Sequence, residues 1–189
     1  MAKFITYPEN KTHVVKAPEI SVLVPVMNEA GNIRPLIDEI CDTFIGRQFE
    51  IIYIDDGSTD DTELELENSL NEVKELRVLK HTKRSGQSVA IRTGLLASRA
   101  PLIAVLDGDG QHDPNCVLEM IGEIKKRKFD MIIGSRFLRK SKLRGLSEER
   151  SLGSKLANKI ARISLPKRYA NLTDYMSGCF CIKNKKINN

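Results

Sequence analysis

The chain has 189 residues, 41% hydrophobic and 29% charged, with 30 Lys+Arg against 25 Asp+Glu. That length suits one domain with a real core, and 12 Gly and 7 Pro exclude collagen-like and low-complexity classes. No apolar run approaches the roughly 20 residues that cross a bilayer, and the start MAKFITYPENK lacks a signal peptide's apolar region, so a soluble chain is expected.

Residues 1–19 mix polar groups with Pro8 and Pro18 and are expected to form an N-terminal arm or loop ahead of one domain over 20–189. Ile20–Pro25 is a short β-branched run suited to a buried strand. Asn32–Phe44 carries Ile33, Leu36, Ile37, Ile40 and Phe44 at helical spacing, with Pro35 tolerable in the first turn. Glu50–Ile54 is the next strand, closed by the turn-rich Asp55-Asp56-Gly57-Ser58. Asp60 or Asp61 can cap the following helix, whose apolar face is expected to hold Leu64, Leu66, Leu70 and Val73.

Leu76–Leu79 predicts a short strand, Gly86–Ser98 a helix, and Leu102–Leu106 the most apolar strand. Asp113-Pro114, an N-cap followed by proline, predicts a helix through Ile121 and Ile124, with a further strand over Phe129–Ile133. Such alternation argues for an α/β fold, a mostly parallel sheet with helices on both faces. Ligands then bind at the carboxyl ends of the strands, which is where Met27-Asn28-Glu29, Asp55–Ser58 and Asp107–Gln111 fall.

Charge is uneven. Residues 125–168 hold fifteen Lys/Arg against three acids, a pattern that suits a phosphate-bearing partner or a solvated helix face. Four scattered cysteines (Cys41, Cys116, Cys179, Cys181) are expected to be reduced thiols, since only a single C-x-C comes near a zinc spacing.

Asp107 and Asp109, two carboxylates just past a buried strand, can reach one hard cation such as Mg²⁺ or Mn²⁺, or can simply form a hydrated turn. Gly108 between them leaves room for a phosphate, and Gln111 adds a neutral oxygen. A calcium loop fails, because its sixth and twelfth positions are His112 and Leu118. Asp56 can accept from a nucleotide's ribose or base, or merely turn the chain. Neither G-x-x-x-x-G-K-[ST] nor a G-x-G-x-x-G after the first strand is present, so ATPase and ordinary dehydrogenase readings drop out. No aromatic-rich motif for base stacking is present, so nucleic-acid binding is not expected.

In order, Val22–Glu29 (VLVPVMNE), Ile54–Thr62 (IDDGSTDDT), Leu106–Pro114 (LDGDGQHDP) and Gly134–Phe137 (GSRF) resemble the motifs of family 2, GT-A-fold glycosyltransferases. Within them the likeness is to polyprenyl-phosphate sugar transferases, the dolichol-phosphate mannose synthase group, and it runs from about Ile20 to Phe180. The resemblance implies a GT-A, Rossmann-like domain and an inverting transfer from a nucleotide sugar to an undecaprenyl or dolichyl phosphate. By position it implies that Pro25, Met27, Glu29, Ile54 and Asp56 lie against the nucleotide. It places Asp107, Asp109 and Gln111 on a divalent metal, Mg²⁺ or Mn²⁺, beside Gly108. Arg136 would face phosphate, and Arg150 with Ser154 would bind the acceptor lipid's phosphate.

Arg150 and Ser154 are four apart and would share a helix face, although Arg150 could instead pair with Glu148 or Glu149. A phosphate acceptor is already mostly dianionic at pH 7, so no general base is needed, and His81 and His112 are expected to be ordinary polar residues. The basic loop from Arg136 to Arg144 and the amphipathic segment Leu146–Leu165 would meet an anionic membrane surface, unless the segment packs on the sheet. The resemblance thus implies a cytoplasmic protein held peripherally on a membrane's cytoplasmic face.

Two features depart from the family pattern. Gly178 precedes Cys179-Phe180-Cys181 where Phe-Arg is usual, and relatives generally continue beyond Asn189, so the C-terminal part is expected to be abbreviated. A saccharide hydroxyl as acceptor, or a non-catalytic module that binds nucleotide sugar, therefore remain as alternatives. Donor base, sugar and oligomeric state are left open by the pattern.

Overall fold

A computed structural model describes residues 4–6, 17–127, 129–135 and 177–185. Among the described residues, seven strands form one sheet in the order β1-β4-β3-β2-β5-β7-β6. They are β1 (Phe4–Thr6), β2 (Ile20–Val26), β3 (Phe49–Asp55), β4 (Leu76–His81), β5 (Leu102–Val105), β6 (Met131–Ile133) and β7 (Phe180–Lys183). The helices among the described residues are α1 (Ile33–Thr43), α2 (Thr62–Leu70), α3 (Gln87–Ala97) and α4 (Asn115–Arg127).

The centre, β4-β3-β2-β5, is parallel, as continuous apolar strands alternating with helices require. Every residue of β2 and β3 is buried. Period-two alternation splits them between two cores. Ile20, Val22, Val24 and Val26 share one with Ile51 and Tyr53, the apolar stripe of α1, Leu66 of α2, and Val117, Met120, Ile121 and Ile124 of α4. Leu23, Ile52, Ile54, Leu79, Ile103 and Val105 meet Ala90 of α3 on the other face.

Several expectations need correction. The arm over 1–19 contains a strand: β1 pairs antiparallel with β4, Phe4 opposite His81, so those residues cover a sheet edge. β7 lies antiparallel between β5 and β6, a placement that no local pattern in Cys179–Lys183 signals. α2 stops at Leu70, before Val73, and Leu64 is 55% exposed because its register points it away from the core. The strand expected from Phe129 begins at Met131.

Candidate functional site

β2 and β3 are adjacent and in register, Val26 opposite Asp55, so the loops that follow them meet. Asn28 takes a positive φ of 57°, which turns four successive backbone N–H groups toward the second loop. Those of Asn28, Glu29, Ala30 and Gly31 donate to Ser58 Oγ (2.9 Å), Thr62 Oγ1 (2.9 Å), Asp60 Oδ2 (3.2 Å) and Glu65 Oε1 (2.8 Å). In return, the Thr59 N–H donates to Asn28 Oδ1 at 2.8 Å. The side chains of Ser58, Asp60, Thr62 and Glu65 therefore clamp the first loop to the second loop and the first turn of α2.

Asp55 and Asp56 diverge. Asp55 is buried, its Oδ1 accepts from the Ser58 N–H at 2.8 Å, and its Oδ2 has no partner among the described residues. Asp56 turns toward β4 and α3: Oδ1 accepts from His81 Nδ1 (2.7 Å) and the Ser85 N–H (2.9 Å), and Oδ2 from the Gly86 N–H (2.7 Å). Burial alone would raise its pKa, but the His81 bond and the two backbone N–H groups outweigh it and hold the carboxyl below its usual range.

A cleft with a cavity volume of about 340 Å³ opens over these strand ends. Pro25, Met27, Glu29 and Asp56 form one side of it, Asp107, Gly108 and Asp109 another. Arg84, Gly86 and Gln87, from the approach to α3, close it.

Asp107 is partly buried: its Oδ1 accepts from Gln87 Nε2 at 2.8 Å, and its Oδ2 lies 3.7 Å from His112 Nε2. The neighbouring Asp107 carboxylate pushes the His112 pKa up, although burial opposes it. Asp109 is exposed and accepts the Gln111 N–H at 3.0 Å. Gly108 is required by close approach to β2, since a Cβ there would lie 2.4 Å from Val26 Cγ1. Beyond β5 and β7, the Cys116 and Cys179 sulfurs touch at 3.2 Å.

Four carboxylates and one arginine are among the described residues that line the cleft, a negative balance that would repel a diphosphate by itself. Hard oxygen donors from two carboxylates, with no denser ligand cluster among the described residues, suit Mg²⁺ or Mn²⁺ shared with substrate phosphates. The residues present fit such an ion.

A family model described as glycosyl transferase family 2 matches residues 21–188. The chain belongs to this family. It is 33% identical over 132 residues to the dodecaprenyl-phosphate galacturonate synthase of Rhizobium johnstonii, covering 68% of this chain and 39% of that protein. It is 32% identical over 169 residues to the dolichol-phosphate mannosyltransferase of Pyrococcus furiosus, covering 89% of this chain and 47% of that protein. The chain thus spans less than half the length of these two relatives. Glucosyl-3-phosphoglycerate synthase of Mycobacterium tuberculosis, solved with Mn²⁺, UDP-glucose and phosphoglyceric acid, matches with a TM-score of 0.66 at 21% identity, over 88% of this chain and 57% of that one. At that identity the likeness speaks for the fold, the GT-A arrangement expected from the sequence.

Of the positions that the family resemblance singled out, Pro25, Met27, Glu29, Asp56, Asp107, Gly108 and Asp109 converge on the cleft. Two do not line it. Ile54 is fully buried beneath α3, packed so tightly that a Cβ on Gly94 would fall 2.8 Å from its Cδ1, because alternation along β3 turns it into the core. Gln111 instead folds its backbone onto Asp109. Arg136, Arg150, Ser154 and the basic segment over 136–165 lie outside the described residues.

Three residues that line the cleft escaped sequence reasoning: Arg84, Gly86 and Gln87. The available signal was a polar Lys-Arg-Ser-Gly-Gln stretch at the carboxyl end of a parallel strand, the same position as the three recognised clusters. His81, expected to be an ordinary polar residue, is 1% exposed and bonded through both ring nitrogens.

Proposed function

We propose that this chain carries the donor site of an inverting glycosyltransferase that moves a sugar from a nucleotide sugar to a polyprenyl phosphate, with Mg²⁺ or Mn²⁺ as cofactor. The observation that carries this reading is the convergence of Asp56, Asp107 and Asp109 on one cleft at the ends of β2, β3 and β5. The names of the two curated relatives, one acting with dodecaprenyl phosphate and one with dolichol phosphate, support the acceptor class.

In this reading Asp107 and Asp109 hold the divalent ion, which supplies positive charge against the departing diphosphate. Pro25, Met27, Glu29 and Asp56 position the nucleoside, and Arg84 adds the cation of the cleft wall. An acceptor phosphate oxygen bonds to C1 of the sugar from the opposite face while the C1–O bond to the diphosphate breaks, its electron pair leaving with the nucleoside diphosphate. The acceptor arrives as a dianion, so no side chain need remove a proton. This agrees with the two described histidines near the site, since His81 is buried against Asp56 and His112 is turned to Asp107.

Arg150 and Ser154 take the acceptor-phosphate role that the resemblance gives them, Arg136 faces phosphate, and the basic loop from Arg136 to Arg144 with the segment Leu146–Leu165 meets an anionic membrane surface. No helix among the described residues is long and apolar enough to cross a membrane.

The test is transfer from labelled UDP- and GDP-sugars, with Mn²⁺ or Mg²⁺, to undecaprenyl or dolichyl phosphate, to phosphoglyceric acid, or to a free saccharide. A labelled product that partitions into organic solvent is expected. Transfer to the saccharide alone would overturn the acceptor assignment, and nucleotide binding without turnover on any acceptor would reduce the chain to a binding module.

A further inference from the structure

We propose that His81 is a positioning residue of the donor cleft, fixing Asp56 and, through it, the backbone wall at Ser85 and Gly86. The proposal rests on the donor-site reading above, and extends it to a residue that never touches the nucleotide.

His81 closes β4, where its backbone pairs in register with Phe4 of β1, and is almost fully buried. A buried imidazole is tolerated only when its nitrogens are bonded. Nδ1 lies 2.7 Å from Asp56 Oδ1, and an ionised carboxylate only accepts, so Nδ1 carries the proton of that bond. Nε2 lies 2.9 Å from Thr93 Oγ1, on the second turn of α3, and that hydroxyl is also 3.1 Å from the Val89 carbonyl. The ring is therefore held at one end by the helix and at the other holds the acid.

What Asp56 does with this anchorage is specific. A carboxylate offers about four acceptor sites, and His81, Ser85 and Gly86 use three. The two backbone donors belong to the turn that opens α3, where Gly86 adopts a φ of 95°. On its far side Gln87 reaches Asp107 Oδ1 at 2.8 Å. A continuous path thus runs from Thr93 through His81, Asp56 and the Ser85–Gln87 turn to Asp107, joining the nucleotide side of the cleft to the metal side. Without the Nδ1 bond, Asp56 is free to rotate and the turn loses the fixed acceptor for two of its N–H groups.

Two substitutions separate this role from simple core packing. An asparagine amide nitrogen occupies nearly the place of Nδ1, whereas a glutamine amide reaches nearer to Nε2. His81→Asn thus keeps the bond to Asp56 and gives up Thr93, and His81→Gln does the reverse. The measurements are hydrogen exchange at the Ser85 and Gly86 amides, calorimetric binding of UDP and GDP with Mn²⁺, and thermal melting of each variant.

We expect His81→Gln to speed exchange at both amides and to weaken the nucleotide that binds the wild type about tenfold, the scale of a hydrogen bond to a charged group. His81→Asn should keep exchange and affinity within about threefold of wild type on the same scale. Equal losses in both variants, tracking their melting temperatures, would overturn the proposal in favour of a packing role, as would wild-type exchange in His81→Gln. Slow Ser85 and Gly86 exchange that depends on His81, in a wild type that binds neither UDP nor GDP, would instead sink the donor-site reading, leaving a positioned turn with no nucleotide to serve.

Discussion

A Cβ added to Gly178 would fall 1.9 Å from Oδ2 of Asp107, so the backbone before β7 is pressed directly against the first acid of the D-G-D run. Gln87 Nε2 donates to Asp107 Oδ1 at 2.8 Å. Gly178→Ala must displace one of these groups, and the carboxylate is the more easily moved. The expected outcome is at least a tenfold loss of Mn²⁺-dependent nucleotide binding by calorimetry, at a stability cost of about 1–3 kcal/mol.

Asp109 is exposed and bonded within its own turn, so its removal should leave folding within about 0.5 kcal/mol of wild type. If it shares the cation, Asp109→Ala abolishes the thermal shift produced by nucleotide with Mn²⁺ while leaving the ligand-free melting temperature in place. A retained shift would remove this acid from the metal site.

Asp56 sets a pH dependence. Its native pKa lies below the ordinary value of 3.8, so its ionised form contributes stability above that value, lost as pH falls through it toward the depressed native one. Urea midpoints taken at about pH 6 and about pH 3 should therefore fall further for wild type than for Asp56→Asn. Equal falls would show that the carboxylate's partners do not favour its ionised form.

At the other end of β3, Glu50 is a buried carboxylate held by Ser21 Oγ (2.6 Å), the Arg99 N–H (2.8 Å) and Arg77 Nη1 (2.8 Å). Arg77→Met leaves that charge without its cation and should cost about 3 kcal/mol in urea denaturation. Nucleotide binding should be unchanged, because the cleft lies at the opposite strand ends. Lost binding in a folded Arg77→Met protein would contradict that separation.

Much of this molecule was legible as a string of residues. The parallel centre followed from apolar strands alternating with helical patterns, and the start of α4 from Asp113-Pro114: the Asp113 Oδ1 accepts the Asn115 N–H at 2.9 Å. The three polar clusters were locatable because strand ends in such sheets are fixed by chain direction. What failed was side-chain orientation within a cluster. Ile54 and Asp56 flank Asp55 in sequence and share the α3 side of the sheet. Yet Ile54 lies within β3 under the helix as core, whereas Asp56, one residue past the strand's end, lines the cleft, a choice set by where the strand stops and what packs over it.

By itself the sequence determined the fold class and the edge of the sheet on which chemistry gathers, because hydrophobic period and chain direction are local properties, and it carried the family in the resemblance of its ordered motifs. Tertiary structure alone decided that β7 inserts between β5 and β6, that Gly178 thereby meets Asp107, and that His81 backs Asp56. Those contacts join residues 25 and 71 positions apart, and their free energy depends on burial and hydrogen-bond geometry that exist only once the sheet has closed around them.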